Sequence, residues 1–376
     1  MKVLALVPYP LDTTPSQRFR LEQWAPLLRR EGIDLEFSAF FDAQAMRYLH
    51  SPGGLLRKTK AVLAGLRRRR RDLGRAREFD AVVIHRTAWL VAPAAFELAF
   101  GRRGVPVVFD FDDAVYLAHG SGANRLFDRF KFPAKIAALC RSSRAVSAGS
   151  AYLAEWASRH TTRASVVPTS IDLENYALRR EQERGARLIV GWTGSATSLT
   201  HLEASAPMLQ RFLAAYDVEL RVVSNRQPRI PGVRAVWRPW SPEAEVEEIR
   251  AFDIGIKPLP DDEWSRGKCP MKELQYMALG MPVVCSAIGG SREAVRHEET
   301  GFLVTSEDAW IEALSRLVDS PDLRHRMGRA GRRIVEECYS SGVATARFAA
   351  VVRAAGNAGG TDTRGLSTSA GEKQIR

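Results

Sequence analysis

The stretch GKCPMKELQYMALGMPVVCSAIGG, residues 267–290, is the most informative part of the chain for its fold. Pro270 can begin a helix, because a proline at the first helical position loses no hydrogen bond. Gly280 suits the left-handed residue that ends many helices, and the apolar run from Pro282 is typical of a buried strand. These residues predict a helix over 271–279 and a strand over 282–286.

The start of this helix is a candidate anion site, because free N–H groups and the positive end of the helix dipole attract anions. Lys268 precedes the helix, while Lys272 and Gln275 share one of its faces. Two interpretations stay open: a diphosphate at the helix start with its nucleoside along that face, or a solvated helix with two surface lysines. A small-residue turn at Gly194 and Ser195 is a second, weaker candidate for phosphate contact.

The same alternation of apolar runs and amphipathic segments fills both halves of the chain. We predict strands at 3–7, 35–39, 81–84, 107–110, 145–148, 165–167, 188–190, 219–223, 233–237, 253–257, 282–286 and 302–304. We predict helices at 16–30, 55–73, 94–100, 150–158, 199–215, 242–252, 271–279, 309–319 and 323–338. This pattern indicates two doubly wound, Rossmann-like α/β domains that face a central cleft.

The predicted domains are residues 1–176 and 188–338, joined by a charged linker at 177–187. A final helix over 339–355 and a disordered tail over 356–376 complete the chain.

Composition excludes several classes of protein. Of the 376 residues, 45% are hydrophobic and 26% charged, an ordinary globular balance. The four cysteines are scattered, which argues against a disulfide framework or a zinc site. The first apolar run is too short for a signal peptide, and no segment is long and apolar enough to span a membrane, so we expect a cytoplasmic protein.

The net charge of +12 indicates a polyanionic partner, and five arginines in a row run from Arg67 to Arg71 in a predicted helix. An anionic membrane surface and a solvated helix without a partner are equally compatible with this basic amphipathic pattern. Nucleic acid ranks lower, because no nucleic-acid-binding motif accompanies the charge.

The run KELQYMALGMPVVCSAIGGSREAVRHEETGFLV, residues 272–304, resembles the donor-binding segment of family-4 glycosyltransferases, which are retaining enzymes of GT-B fold. Further similarity at 146–156, 165–176 and 253–259 extends the resemblance over nearly the whole chain. It implies a GT-B fold, a nucleotide-sugar donor bound in the second domain, and a last helix that crosses back to the first domain.

Two positions depart from the family pattern. The family's second Glu, which binds the ribose, falls on Gln275, and its first Glu, near the sugar, falls on Gly267. A glutamine can still accept one hydroxyl hydrogen bond. Asp261, Asp262 or Glu263, just upstream, could supply a carboxylate from the same loop. We therefore predict a divergent branch of the family.

The first-half candidate is DFDDAVY, residues 110–116, at the end of a predicted strand. By the resemblance, Asp112 and Asp113 face the transferred sugar, where a carboxylate could polarise the acceptor hydroxyl or stabilise a cationic sugar centre. A metal-binding Asp-x-Asp motif is the alternative, but that motif belongs beside the donor, so we expect no metal. Alternatively, these acidic residues only cap the junction between the strand and the loop and have no catalytic role.

Other residues are also expected at the cleft. His85 directly follows the predicted strand at 81–84 and is a candidate catalytic residue, although such a histidine is more often structural. Ser16, Arg18 and Arg20 begin the helix after the first strand and are candidates for the acceptor side. An ordinary capped helix with exposed arginines explains them equally well.

The sequence thus predicts transfer of a sugar from a nucleotide donor to the hydroxyl of a glycan or lipid-linked acceptor, with retention and without cofactor or metal. A non-catalytic nucleotide-sugar-binding subunit of a glycosyltransferase complex is the alternative. We expect a cytoplasmic location, peripheral to the membrane if the basic helix contacts lipid.

Overall fold

The computed structural model describes residues 1–49, 53–89, 93–117, 133–178 and 187–357. Within these ranges it contains two parallel six-stranded sheets. The strands of the first are β1 Lys2–Val7, β2 Asp34–Ala39, β3 Ala81–His85, β4 Val107–Phe111, β5 Ala145–Ala148 and β6 Ala164–Val166. Those of the second are β7 Ile189–Gly194, β8 Glu219–Ser224, β9 Ala235–Pro239, β10 Ile254–Lys257, β11 Val283–Ser286 and β12 Gly301–Val304.

Helices accompany both sheets. Those of the first half are α1 Pro15–Gln17, α2 Gln23–Arg30, α3 Ala43–Leu49, α4 Leu55–Gly74, α5 Ala95–Arg102, α6 Pro133–Ser142 and α7 Ala151–Ser158. Those that follow are α8 Ala196–Ala204, α9 Ala206–Ala215, α10 Glu245–Arg250, α11 Glu263–Arg266, α12 Met271–Ala278, α13 Gly289–Ala294, α14 Glu307–Asp319, α15 Pro321–Ile334 and α16 Ser341–Asn357. A π-helical segment, Arg18–Glu22, joins α1 to α2.

The predicted α/β fold with two doubly wound sheets is confirmed. The strand orders are β2-β1-β3-β4-β5-β6 and β12-β11-β10-β7-β8-β9. The order reverses between β1 and β3 in the first sheet and between β7 and β10 in the second. Ligands of open α/β sheets bind beyond the carboxyl ends of the strands at such a reversal.

The last helix returns to the first sheet. Ala344, Phe348 and Val352 of α16 pack in one core cluster with Val3 of β1 and Trp24 of α2. The first strand and the last helix thus belong to the same core cluster. Most of the predicted linker, residues 179–186, and the tail from 358 lie outside the described residues, and the domain bounds stay a prediction.

Every helix within the described ranges is too short or too polar to cross a bilayer.

Candidate functional site

Three lysines converge beyond the strand ends of the second sheet. Lys257 ends β10 at the reversal of strand order, Lys268 precedes α12, and Lys272 lies in its first turn. Burial, followed by the charges of Lys257 and Lys268, lowers the pKa of Lys272 to about 7. Burial also lowers the pKa of Lys268, and the charge of Lys257 adds to this effect. A site that disfavours its own positive charges in this way is suited to an anion.

The turn after β7 lies against Lys272. A Cβ atom at Gly194 would lie 2.8 Å from Cε of Lys272 and 2.6 Å from Oγ of Ser198, so this position has room only for glycine. The Lys272 ammonium also lies 5.4 Å from the centre of the Trp192 ring. The structure therefore brings together Gly194 and Lys272, which were predicted separately.

Lys257 was not predicted as a site residue. Its ammonium donates to Oε1 of Glu273 at 2.7 Å, and Ser291 donates to the same oxygen. Both Lys257 and Glu273 are buried. A lysine at the end of a strand beside a strand-order reversal is the signal that could have found it.

Gln275, the predicted ribose ligand, has two hydrogen-bond partners in the protein. Its Nε2 donates to the Tyr176 hydroxyl at 2.9 Å and to Oε1 of Glu245 at 3.2 Å. The side chain is buried against these two residues. Its amide nitrogen is therefore held by hydrogen bonds to two protein side chains.

The loop before α12 packs directly on the first half. A Cβ atom at Gly267 would lie 2.4 Å from Cβ of Ala114, and one at Gly149 would lie 2.7 Å from Sγ of Cys269. A larger residue at 267 would force the halves apart, which explains why glycine stands where the family resemblance places a glutamate.

The three acidic residues of this loop are all exposed, and two of them have partners within the loop. Asp262 caps α11 by accepting from the Ser265 N–H at 2.7 Å, and Asp261 pairs with Arg266 at 2.7 Å. Glu263 is exposed at the start of α11. Its negative charge helps to raise the pKa of Tyr116, after the larger effect of burial.

A buried ionic network lies beneath the first-half site. Arg20 donates to both carboxylate oxygens of Asp110, at 3.1 and 2.5 Å. His85 Nδ1 lies 2.7 Å from Asp110 Oδ2, and Ser147 donates to Oδ1 at 2.7 Å. Although burial opposes the charge, Arg20 and these hydrogen bonds hold the pKa of Asp110 far below its ordinary value.

This network corrects two expectations about the cleft. Arg20 is fully buried and saturated by Asp110 and the Val167 carbonyl, so it supports the site from below instead of facing an acceptor. His85 is also fully buried, with its ring nitrogens next to Asp110 and Ser16, so its ring is not exposed to the cleft. The pattern from residue 16 to 30 resembled an exposed helix because burial of an arginine depends on a carboxylate 90 positions away.

The carboxylates of Asp112 and Asp113 are held by one arginine above this network. Arg86 Nε donates to Asp112 Oδ1 at 2.7 Å, and Nη2 donates to Asp113 Oδ2 at 2.5 Å. Arg86 has a φ of 60°, a conformation that is uncommon for a residue other than glycine and recurs at functional sites.

The two carboxylates have opposite pKa shifts. Burial raises the pKa of both, but at Asp112 the charges of Arg86, His85 and Arg20 together outweigh it, so the Asp112 pKa falls. At Asp113 burial and the charge of Asp112 prevail, and the pKa rises, while Lys268 acts in the opposite direction. Neighbouring acids with divergent pKa values are typical of general acid–base sites.

Ser16 connects the buried network around Asp110 to the carboxylate of Asp112. Its hydroxyl donates to Asp112 Oδ1 at 2.7 Å and lies 3.0 Å from His85 Nε2. Asp110, His85 and Ser16 thus follow the order of a nucleophilic triad. The hydroxyl hydrogen, however, is directed at Asp112 and away from His85, so Ser16 bridges these groups and is not an activated nucleophile.

The carboxylates of the Asp-x-Asp motif both have partners within the protein. Asp110 is enclosed by Arg20 and His85, while Asp112 turns to Ser16 and Arg86. In the part of the chain that the structure describes, no three His, Cys, Asp or Glu side chains are grouped to hold a metal ion.

Glu293 of α13 joins the halves on another side. Its carboxylate accepts from the backbone N–H groups of Ala151 and Tyr152, at 2.9 and 3.3 Å. These groups start α7 in the first half, where a negative charge is favoured by the helix dipole. This contact adds to the packing between the two halves.

Comparison with solved structures defines the class of this fold as GT-B. The chain aligns with a glycosyltransferase from Rickettsia africae over 94% of its length and 98% of that chain, with a TM-score of 0.66 at 13% identity. Anabaena HepE in complex with UDP and glucose gives a TM-score of 0.65 at 15% identity over 94% and 99% of the two chains. Sucrose-phosphate synthase from Thermosynechococcus elongatus gives 0.68 at 14% identity over 94% and 98%.

Residues 265–334 match the family model described as "Glycosyl transferases group 1". The chain is 27% identical to D-inositol 3-phosphate glycosyltransferase of Corynebacterium urealyticum over 202 residues, which cover 45% of this chain and 46% of that protein. It is 38% identical to the Streptomyces avermitilis enzyme of the same name over 119 residues, 31% of this chain and 24% of that one. The matches thus span less than half the length of these relatives. The matched family segment contains Lys268, Lys272 and Gln275.

Proposed function

We propose that this protein is a metal-independent, retaining glycosyltransferase that moves a sugar from a nucleotide diphosphate donor to an acceptor hydroxyl. The observation that carries the proposal is the convergence of Lys257, Lys268 and Lys272 near the start of α12, where burial, followed by the charges of the other two lysines, lowers the pKa of Lys272 to about 7. A bound diphosphate would offset the repulsion between these charges. The group 1 segment over these residues and UDP in the Anabaena complex support the same ligand class.

In the proposed reaction the lysines stabilise the negative charge that develops on the leaving diphosphate, which is the role of a metal ion in other transferases. Asp112 and Asp113 lie across the cleft, close enough for the charge of Lys268 to act on Asp113. Asp112, held as a carboxylate by Arg86, orients the acceptor hydroxyl. Retention is carried over from the family-4 resemblance.

Asp112→Asn tests the catalytic part of this proposal. We expect donor binding to stay within about twofold of wild type, while transfer falls by about 10²–10⁴, the usual contribution of a general acid or base. Binding and turnover are measured over a panel of nucleotide sugars and sugar acceptors.

The matched control is Asp308→Asn, which removes a carboxylate of the exposed pair with Arg211. A wild-type protein that binds a donor but neither transfers nor hydrolyses any member of the panel would instead support the alternative of a non-catalytic binding subunit.

Donor binding is expected to weaken as pH rises above 7. Only the ammonium form of Lys272 attracts the diphosphate, and the free protein loses that proton around pH 7. The bound anion raises the pKa of this lysine, so binding takes up a proton, and affinity falls by up to about tenfold per pH unit until the pKa of the complex is reached.

Calorimetric titration with the best donor of the panel, at several pH values and in buffers of different ionisation enthalpy, measures this effect. In Lys272→Arg the positive charge persists at every pH tested, so any donor binding that remains should no longer depend on pH. Equal affinity from pH 6 to 9 in the wild type would contradict the role of Lys272.

We also propose that the acceptor is lipid-linked and that α4 rests on an anionic membrane surface. Leu55, Leu56 and Leu63 are among the few large exposed hydrophobic residues of the described chain. Exposed cations lie on the same helix: Arg57, Lys60, Arg67, Arg70 and Arg71. This mixture of leucines and cations is typical of helices that lie in a membrane interface.

Fewer of the arginines at 67–71 are exposed than the run in the sequence suggested. Arg69 is fully buried and donates to the carbonyls of Val7 and Ala88. Arg68 donates to the Phe40 carbonyl and pairs with Asp42. Only the other three arginines of the run are exposed.

The double variant Arg67→Ser/Arg70→Ser should reduce binding to phosphatidylserine vesicles about tenfold or more, because each cation near an anionic surface contributes about 1 kcal/mol. Vesicle flotation measures this, with pure phosphatidylcholine vesicles as the lipid control. Arg29→Ser, which breaks an exposed pair outside α4, is the protein control. Tight, salt-dependent binding to DNA without vesicle binding would favour a nucleic-acid partner instead.

A further inference from the structure

A chain of hydrogen bonds connects the buried part of the first-half site to Asp112. Nδ1 of His85 lies 2.7 Å from Asp110 Oδ2, and Nε2 of the same ring lies 3.0 Å from the Ser16 hydroxyl. That hydroxyl donates to Asp112 Oδ1 at 2.7 Å. Because His85 is shielded from solvent, its protonation depends on these protein partners.

The Nδ1 atom of His85 carries a hydrogen. Its partner is a carboxylate oxygen of Asp110, whose pKa Arg20 and hydrogen bonds hold far below the ordinary value although burial opposes this. An ionised carboxylate can only accept hydrogen bonds. A neutral ring with its hydrogen on Nδ1 and a doubly protonated ring both satisfy this contact, so the state of Nε2 distinguishes them.

The Nε2 atom of His85 faces a hydroxyl whose single hydrogen is already used. Ser16 has two acceptors within reach, the Asp112 carboxylate at 2.7 Å and Nε2 at 3.0 Å. The carboxylate is closer, and a hydrogen bond to an ionised acceptor is the stronger one. Ser16 therefore presents its lone pairs to Nε2. A bare Nε2 would face another acceptor, whereas an Nε2–H group donates to the hydroxyl.

The charges around His85 are compatible with a cationic ring. Burial opposes ionisation of Asp110 and Asp112, but after Arg20 at the first and Arg86 at the second, the positive charge of His85 helps to lower the pKa of each carboxyl. The two arginines add positive charge, and each forms an ion pair with one of these carboxylates. A cationic ring thus lies between two carboxylates, one in direct contact and one reached through Ser16, which offsets its desolvation.

We propose that His85 is doubly protonated in the folded protein and that its Nε2–H group turns the Ser16 hydroxyl towards Asp112, so that both residues position the Asp112 carboxylate. The inference rests on the proposed function, in which Asp112 orients the acceptor hydroxyl. Ser16 and Arg86 both donate to Oδ1 of Asp112, which leaves the other oxygen, Oδ2, for the acceptor. Loss of the Nε2 hydrogen would let the ring compete with Asp112 for the hydrogen of Ser16.

Nitrogen-15 NMR of protein labelled in its histidine rings tests the protonation state directly. The His85 signals are assigned by comparison with His85→Gln and Ser16→Ala. At pH 7 we expect both ring nitrogens of His85 to carry a hydrogen. His297 is the internal reference, because its Nδ1 accepts from the Leu303 N–H at 3.1 Å and therefore has no hydrogen. A bare ring nitrogen in His85 at this pH would overturn the proposal.

Ser16→Ala and Ser16→Thr test the step from His85 to Asp112. Ser16→Ala removes the acceptor of the Nε2–H group, so His85 should lose that hydrogen at a lower pH than in wild type. At saturating donor, kcat for transfer should fall about tenfold or more, as expected for the loss of a hydrogen bond to a charged group, while donor affinity stays within about twofold of wild type. Ser16→Thr keeps the hydroxyl and should reverse most of both effects.

Ser158→Ala is the matched control, because it removes an exposed hydroxyl that donates to the Glu155 carbonyl. It should leave kcat and the titration of His85 unchanged. An unchanged kcat in Ser16→Ala, or a Ser16→Thr variant no more active than Ser16→Ala, would disprove the positioning role. A wild type that transfers no sugar defeats the proposed function, and the NMR spectra still decide how His85 is protonated.

Discussion

Lys272→Met is expected to lower kcat/KM for sugar transfer at least a hundredfold, equivalent to about 2.7 kcal/mol of transition-state stabilisation. The methionine keeps a flexible side chain of similar length against Trp192 and Gly194 but removes the charge. Since the leaving diphosphate gains negative charge as the donor bond breaks, the loss should appear in kcat as well as in KM. Steady-state kinetics with the donor identified by the panel measures it.

The folded state should not suffer from this substitution, because the half-buried ammonium has its pKa lowered by its surroundings. Thermal unfolding of the variant is the control for folding. Lys2→Met, which removes an exposed lysine paired with Glu36, is the control for loss of a positive charge and should leave kcat/KM unchanged. Activity of Lys272→Met near that of wild type would remove the main support for the diphosphate site.

Arg20→Met is expected to cost about 3–5 kcal/mol of unfolding free energy, the usual effect of removing one partner from a buried ion pair. Neither side chain of the Arg20–Asp110 pair is exposed to solvent. Without the guanidinium, the Asp110 carboxylate keeps only His85 and Ser147 as polar neighbours from this network. Chemical denaturation of wild type and variant measures the difference.

Two further variants separate this effect from a general loss of arginine. Arg29→Met removes an exposed partner of Asp34 from the neighbouring helix and should cost less than about 1 kcal/mol. Asp110→Asn added to Arg20→Met should restore part of the lost stability, because no unpaired charge is then buried. A cost for Arg20→Met no larger than that for Arg29→Met would contradict the network described here.

The strands were the best predicted part of the fold. All twelve strands of the two sheets overlap predicted ones. Strands of a parallel sheet are buried on both faces, so they form continuous apolar runs, as in the fully buried β3. Such runs are visible without knowledge of their neighbours in space.

Short helices and helix ends were predicted less well. Among the helices of the described ranges, four were missed: α3, α6, α11 and α13. The predicted helix over 199–215 is divided into α8 and α9 at Ser205, because Pro207 in the first turn of α9 cannot donate the hydrogen bond that a continuous helix needs. These outcomes depend on single residues and on local packing, which periodicity averages out.

Some site residues were predicted from the sequence and others were missed. Lys268, Lys272, Asp112 and Asp113 were predicted because each lies beside a strand or helix end, where polar side chains face a cleft. The sequence analysis assigned no role to Arg86, although this residue holds both carboxylates.

The sequence by itself determined that this chain forms two doubly wound sheets, because hydrophobic periodicity and helix-end residues act over a few neighbouring positions. The sequence also determined that a helix starts beside two lysines, because Lys268, Pro270 and Lys272 lie close together in the chain. Only the tertiary structure decided that Arg20 and His85 lie beneath the site, that Lys257 completes the lysine cluster, and that Glu245 lines a cavity beside Gln275. The physical reason is that burial and ion pairing depend on residues far apart in the chain, as with Arg18 and Glu245, 227 positions apart.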